Sequence, residues 1–140
     1  MSANPTHPGH CEFVALATFR RNGDAVPTTV WLVANGDEIL ITTGGGTGKV
    51  KRINNNPGVQ LRPSTRSGDV DTDAPTWSAT ARIDNSAPTI ETTNKLLRKK
   101  YGWQYAAMTT AQKIFSRGNR IQTIICLSEI KPLASSDSAS

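Results

Sequence analysis

The run from Ile41 to Val59, I-T-T-G-G-G-T-G-K-V-K-R-I-N-N-N-P-G-V, gathers the residue types that bind an anion. It begins as the end of a strand, passes through a glycine-rich turn, makes a short basic helix and stops at Pro57. Thr47 is placed to cap a helix opening near Gly48, because its hydroxyl can accept from a backbone N–H two or three residues on. Val50 and Ile53 lie three apart and face inward. Lys49 and Arg52, also three apart, share another face near the helix start. Asn56 precedes a proline and is pushed out of the helical region, which ends the helix. Free backbone N–H groups, the positive end of a helix dipole and two cationic side chains therefore meet in one place. That combination suits a phosphate.

The nucleotide-triphosphate loop, G-x-x-x-x-G-K-[ST], is excluded on two counts. Thr43 stands five residues before Gly48 where that motif needs glycine, and Val50 replaces the hydroxyl that would hold magnesium. On spacing alone, an anion site and a plain turn leading into a solvated basic helix are equally good readings.

Other chemistry is poorly supported. The two histidines, His7 and His10, stand in a Pro-containing lead-in, so no Ser/His or Cys/His pair is evident. With Cys11 they are too few for a metal site, and no second Cys/His cluster completes one. Asp69, Asp71 and Asp73 fall in a polar loop and read as solvated. If the chain does chemistry, a cofactor carries it and the protein supplies binding and orientation.

The elements that must hold the basic turn are mostly strands. Phe13 to Arg20 is apolar on both faces, as expected of a strand covered on both sides. Asn22-Gly23 and Asn35-Gly36 are hairpin turns, with β-rich runs over Ala25 to Ala34 and Glu38 to Thr43 completing an antiparallel meander. After the helix, Val59 to Arg62 is a fourth strand stopped by Pro63. Ser64 to Pro75 is a long exposed loop. Thr76 to Ile83 alternates, with Trp77, Ala79, Ala81 and Ile83 on one face. A helix over Thr89 to Tyr101 closes at Gly102, a weaker helix spans Tyr105 to Phe115, and Ile121 to Ile130 is the last strand. The expected fold is mainly β with short helices, a six-stranded antiparallel barrel that is closed or nearly so.

At 140 residues the chain suits one domain over 10–132, with a flexible lead-in over 1–9 and a disordered tail over 133–140. The net charge of +5 is modest and spread out, and Arg98-Lys99-Lys100 reads as a solvated helix end, so nucleic acid is not an expected partner. No apolar signal segment opens the chain and no stretch is long enough to span a membrane. Cys11 and Cys126 lie in apolar segments and are expected to be reduced thiols of a cytoplasmic protein.

With the elements in this order, the chain resembles the pyridoxamine 5'-phosphate oxidase-like superfamily, the FMN- and deazaflavin-binding split β-barrels. The resemblance is carried by T-T-G-G-G-T-G-K-V-K-R-I-N-N-N-P-G-V and by the opening hairpin F-V-A-L-A-T-F-R-R-N-G-D-A-V-P-T-T-V-W-L. R-K-K-Y-G is similar to a helix end in the branch of oxidoreductases using coenzyme F-420. The similarity spans roughly Phe13 to Ile130 and rests on the order of the motifs.

The resemblance implies a homodimer with two cofactor sites at the subunit interface, holding FMN or coenzyme F-420 and acting on a small organic molecule. By position, Lys49 meets the cofactor phosphate and Arg52 is a second contact, with Thr47 and Gly48 at the helix start. Thr42 and Thr43 lie beside the phosphate and ribityl chain, while the backbone of Thr28, Thr29, Val30 and Trp31 runs along the ring system. Trp31, Trp77 and Trp103 are placed either to border the ring or to pack. The acidic tail of F-420 would have Lys51, Arg52 or Arg66 to meet it. No catalytic side chain is implied. The chain departs from relatives that carry arginine where Gly48 stands, and it lacks the R-L-H-D-R-type ending of the true vitamin oxidase. The non-catalytic alternative is a flavin-binding, storage or redox-sensing module.

Overall fold

Two Asn-Gly turns lay down the first three strands. Gly23 and Gly36 have φ of 95° and 63°, backbone that glycine adopts without a Cβ penalty. At the first turn, Asn22 Oδ1 accepts from the Asp24 N–H at 2.9 Å, which fixes the reversal. In this computed structural model, which describes residues 7–44, 48–65, 67–70, 72–102 and 122–133, the strands are β1 (Phe13–Phe19), β2 (Ala25–Asn35) and β3 (Glu38–Gly44). Helix α1 (Gly48–Asn55) follows, then β4 (Gly58–Ser64), β5 (Trp77–Asp84), helix α2 (Ala87–Tyr101) and β6 (Gln122–Pro132). Before β1, Pro8–His10 forms a 3-10 turn capped by His7 Nδ1, and Pro8 is buried. Thr47, Arg66, Trp103 and the helix expected over 105–115 lie outside the described residues.

All six strands pair antiparallel and close in the order β1-β2-β3-β6-β5-β4, with β4 returning to β1. Period-two patterning fills the interior: Val14, Leu16, Val30, Leu32, Ile39, Ile41, Val59, Leu61, Trp77, Ala79, Ala81, Ile125 and Leu127 form one cluster. Trp77 is 2 % exposed there and is a core residue, not the rim of a site. Strand β6 is buried on both faces from Thr123 to Leu127. Its second face, with Ile124 and Cys126, is covered by α2 through Leu97 and Tyr101. The extra layer that this two-sided strand demands comes from the same chain. Cys11 and Cys126 are free, buried thiols.

Strand β4 differs from its expected limits, because it runs through Pro63 instead of stopping before it. Pairing with β5 ends at Leu61↔Trp77, whereas pairing with β1 continues through Val14↔Pro63 to Phe13↔Ser64. Beyond Leu61 only one side of β4 faces another strand, and an edge of that kind tolerates a residue without an N–H.

Helix α1 lies against β1 and β5 at one end of the barrel. Its only fully buried side chain is Ile53, 2 % exposed and part of the interior cluster. An eight-residue helix is not stable alone, so this anchor decides whether α1 stays docked. Ile53→Ala is therefore expected to cost about 2–5 kcal/mol of unfolding free energy in urea denaturation. A loss below about 1 kcal/mol would mean that α1 is not seated in the barrel end.

Candidate functional site

Strands β2 and β3 part company half-way along. Their register runs from Asn35↔Glu38 to Leu32↔Ile41. Before Leu32, β2 pairs only with β1; after Ile41, β3 pairs only with β6. The barrel wall is therefore split, with Thr28, Thr29 and Val30 on one lip and Thr43 on the other. Two residue groups that the family resemblance implies, Thr28 to Trp31 and Thr42-Thr43, are thus the two sides of one opening. Val30 points into the core at 4 % exposure, so only its main chain faces the split. Trp31 packs edge-on against Tyr101 and Phe13, with ring centroids 4.4 and 5.3 Å apart. The loop after β4 reaches the first lip: a Cβ at Gly68 would lie 2.9 Å from Thr29 Oγ1. Arg62 holds the far part of that loop, its Nη2 donating to the Ala74 carbonyl at 3.1 Å.

The second lip leads straight into α1. Four Cα steps from Gly44 to Gly48 span at most about 14 Å, which keeps the helix start near Thr43. There Arg52 folds back over the first turn. Its Nε donates to Thr18 Oγ1 at 2.6 Å, and Nη1 lies 2.7 Å from where a Gly48 Cβ would be. Thr18 is wholly buried and pairs with Val26, two residues before Thr28. Lys49 is half-buried beside Arg52, and no carboxylate faces it among the described residues. Burial, and then the Arg52 charge, hold its ammonium below the usual lysine range. Two cations and a helix N-terminus thus face each other across a short distance, an arrangement that is repulsive until an anion joins it.

The outer wall over β3, β6 and β5, beside the start of α2, carries a polar groove of about 160 Å³, lined in part by Glu38, Arg82, Thr89 and Cys126. Its charges are already matched, with Arg82 Nη1 2.6 Å from Glu38 Oε2. Asp84 accepts from the Ser86 N–H and from Thr89 Oγ1, and those bonds hold its carboxyl below the usual range. The split end, with uncompensated positive charge, is the better candidate.

Among known proteins, no family model and no curated sequence matches the chain. Solved structures do match. A Listeria innocua protein provisionally described as a pyridoxamine 5'-phosphate oxidase superposes with a TM-score of 0.53 at 12% identity, over 89% of this chain and 90% of its own. HutZ, the heme storage protein from Vibrio cholerae, gives 0.58 at 12% identity, over 88% and 82%. An F-420 reductase gives 0.50 at 15% identity, over 94% and 97%. The chain has the pyridoxamine 5'-phosphate oxidase-like split-barrel fold.

Within this split barrel, Thr28, Thr29, Val30 and Trp31 lie across one opening from Thr42 and Thr43, and Gly48, Lys49 and Arg52 belong to the helix that follows β3. Three participants escaped sequence reading. Thr18 is a lone hydroxyl in an apolar strand, and that misfit was the available signal. Lys100 and Tyr101 end α2, where a basic helix terminus reads as solvated. Instead, Lys100 is half-buried, with Nζ donating to the carbonyls of Cys11 and Leu32 at 2.7 Å each. Among the described residues, no helix is long and apolar enough to cross a membrane.

Because the folded-state value of Lys49 lies below the unfolded one, the unfolded chain holds that proton more tightly. Lys49 therefore opposes folding below its folded pKa, and the penalty is relieved as pH rises toward the ordinary lysine value. NMR titration should find Lys49 below 10.5, moving upward in Arg52→Gln as the like charge is removed. An unchanged value in that variant would mean that the two cations do not share a site.

Proposed function

We propose that the split end is the cofactor site of a flavin- or deazaflavin-dependent oxidoreductase acting on a small organic substrate, as a cytoplasmic homodimer. The observation that carries this reading is the uncompensated pair Lys49 and Arg52 at the start of α1, directly beyond the opening between β2 and β3. FMN and coenzyme F-420 each join a tricyclic ring to a phosphate, and the site offers a cationic end and an open strand edge in matching order. Gly48 leaves the first turn of α1 uncovered except by the movable tip of Arg52, so an anion can approach the main chain there. Lys49 and Arg52 would hold the phosphate, and the polar groups of Thr42 and Thr43 would lie beside the chain leading from it. The backbone from Thr28 to Trp31 would orient the ring. When bound, such a cofactor supplies hydride transfer. The protein's part is to bind it, fix its ring and leave one face open to substrate.

A storage or sensing role is the second reading, favoured by the structural similarity to a heme storage protein. The two readings separate in a simple assay. A bound cofactor that is reduced by NAD(P)H or reduced deazaflavin, then reoxidised by a small acceptor, supports the enzyme; one that is held but never reduced supports the module.

Native mass spectrometry after titration with each cofactor decides between FMN and F-420. For the cofactor that binds, Lys49→Ala is expected to weaken affinity by about 1.5–3 kcal/mol, the loss of a charge-assisted phosphate bond. Calorimetry showing unchanged affinity would refute the assignment of Lys49.

A further inference from the structure

Strand β2 changes neighbours across a single peptide. Its last pair with β1 is Phe13↔Trp31, and its first pair with β3 is Leu32↔Ile41. Ladder bonds alone do little to fix the angle between two halves held by different strands. On the β1 side, Leu32 should also be left with main-chain groups that have lost their partner, since β1 has ended. The end of α2 supplies them. Tyr101 Oη accepts from the Leu32 N–H at 3.1 Å and donates to the Glu12 carbonyl at 2.5 Å. The Leu32 carbonyl also lies 3.0 Å from Tyr101 Oη, but one hydroxyl proton serves the shorter bond, and Lys100 Nζ serves Leu32 at 2.7 Å. Lys100 also donates to the Cys11 carbonyl, so β2 and the segment before β1 are tied to the same two side chains.

This arrangement is costly for mere cover. A helix that only shielded β2 would do so with leucine, as α2 does at Leu97. Instead a hydroxyl and an ammonium are drawn from water, and burial holds Lys100 below, and raises Tyr101 to about 12 against, their usual values. The Tyr101 ring is also packed against Trp31, on the lip of the split.

We propose that Tyr101 and Lys100 are positioning residues that pin the point where β2 changes neighbours, and so set the width of the split between Thr28–Trp31 and Thr42–Thr43. This rests on the reading of the split as a cofactor site. Neither side chain is required to touch the cofactor. They act through the main chain of Leu32 and the ring of Trp31.

The test uses the full chain, with FMN and coenzyme F-420 as probes, at a temperature where every variant is folded by circular dichroism. Tyr101→Phe keeps the ring and removes the hydroxyl; Lys100→Met keeps the stem and removes the donors; Lys100→Arg restores donors. Thr93→Val is the control, since it removes a buried hydroxyl bonded to the Thr89 carbonyl within α2, away from β2. Tyr101→Phe and Lys100→Met are expected to raise the Kd of the bound cofactor about tenfold, with Lys100→Arg within about threefold of wild type and Thr93→Val unchanged. Amide exchange at Thr28 to Leu32 in the free protein should quicken in the first two variants only. Wild-type affinity and exchange in both Tyr101→Phe and Lys100→Met would overturn the proposal. If the wild type binds neither cofactor, the cofactor reading fails, and amide exchange alone then decides the pin: faster exchange supports it and unchanged exchange overturns it.

Discussion

Strand β2 cannot keep both neighbours along its whole length, and the rest of the molecule follows from that constraint. It pairs with β1 up to Trp31 and with β3 from Leu32, which leaves the seam between β2 and β3 laddered at one end and parted at the other. The parted end is where β3 runs out toward the start of α1, so polar main chain and a helix N-terminus are delivered to one opening. A fully laddered barrel of the same size would fill its interior with side chains and offer no such slot.

The charges at that opening complete the picture. Arg52 is held by a buried hydroxyl on β1 and turned back over its own first turn, and Lys49 sits beside it half out of water. Two cations this close, one of them half-buried, repel each other, an arrangement that costs stability and is of a kind found at binding sites. The outer wall beside the start of α2 shows the contrast. Arg82 there has Glu38, and Asp84 has the main chain and hydroxyls of the α2 start, so its charges are spent on structure.

Much of this was legible in the residues. Asn22-Gly23 and Asn35-Gly36 marked the meander, alternation from Trp77 to Ile83 marked β5, and Pro57 marked the end of α1. The resemblance implied that Thr28–Trp31 and Thr42–Thr43 lie together, and the split between β2 and β3 sets those two groups across one opening. Other features could not be read because they depend on long-range neighbours. Pro63 stays inside β4 only because β5 has already ended beside it. Trp77 could border a ring or pack on sequence grounds, and closure of the barrel over it makes it a packing residue. Lys100 carries the same local signal as its solvated neighbours Arg98 and Lys99, and only tertiary packing places its ammonium against two carbonyls. Thr18 likewise gains its role from Arg52, thirty-four positions along the chain.

In the proposed site the cationic start of α1 grips a phosphate while the split holds the ring attached to it. Comparing FMN with riboflavin, which has the same ring and no phosphate, isolates that grip in one calorimetric experiment. FMN should bind at least about tenfold more tightly than riboflavin to the wild type, consistent with one or more charge-assisted bonds, and the difference should largely vanish when Lys49 and Arg52 are both neutralised. Equal affinities for the two in the wild type, or a preference that survives the loss of both cations, would contradict it.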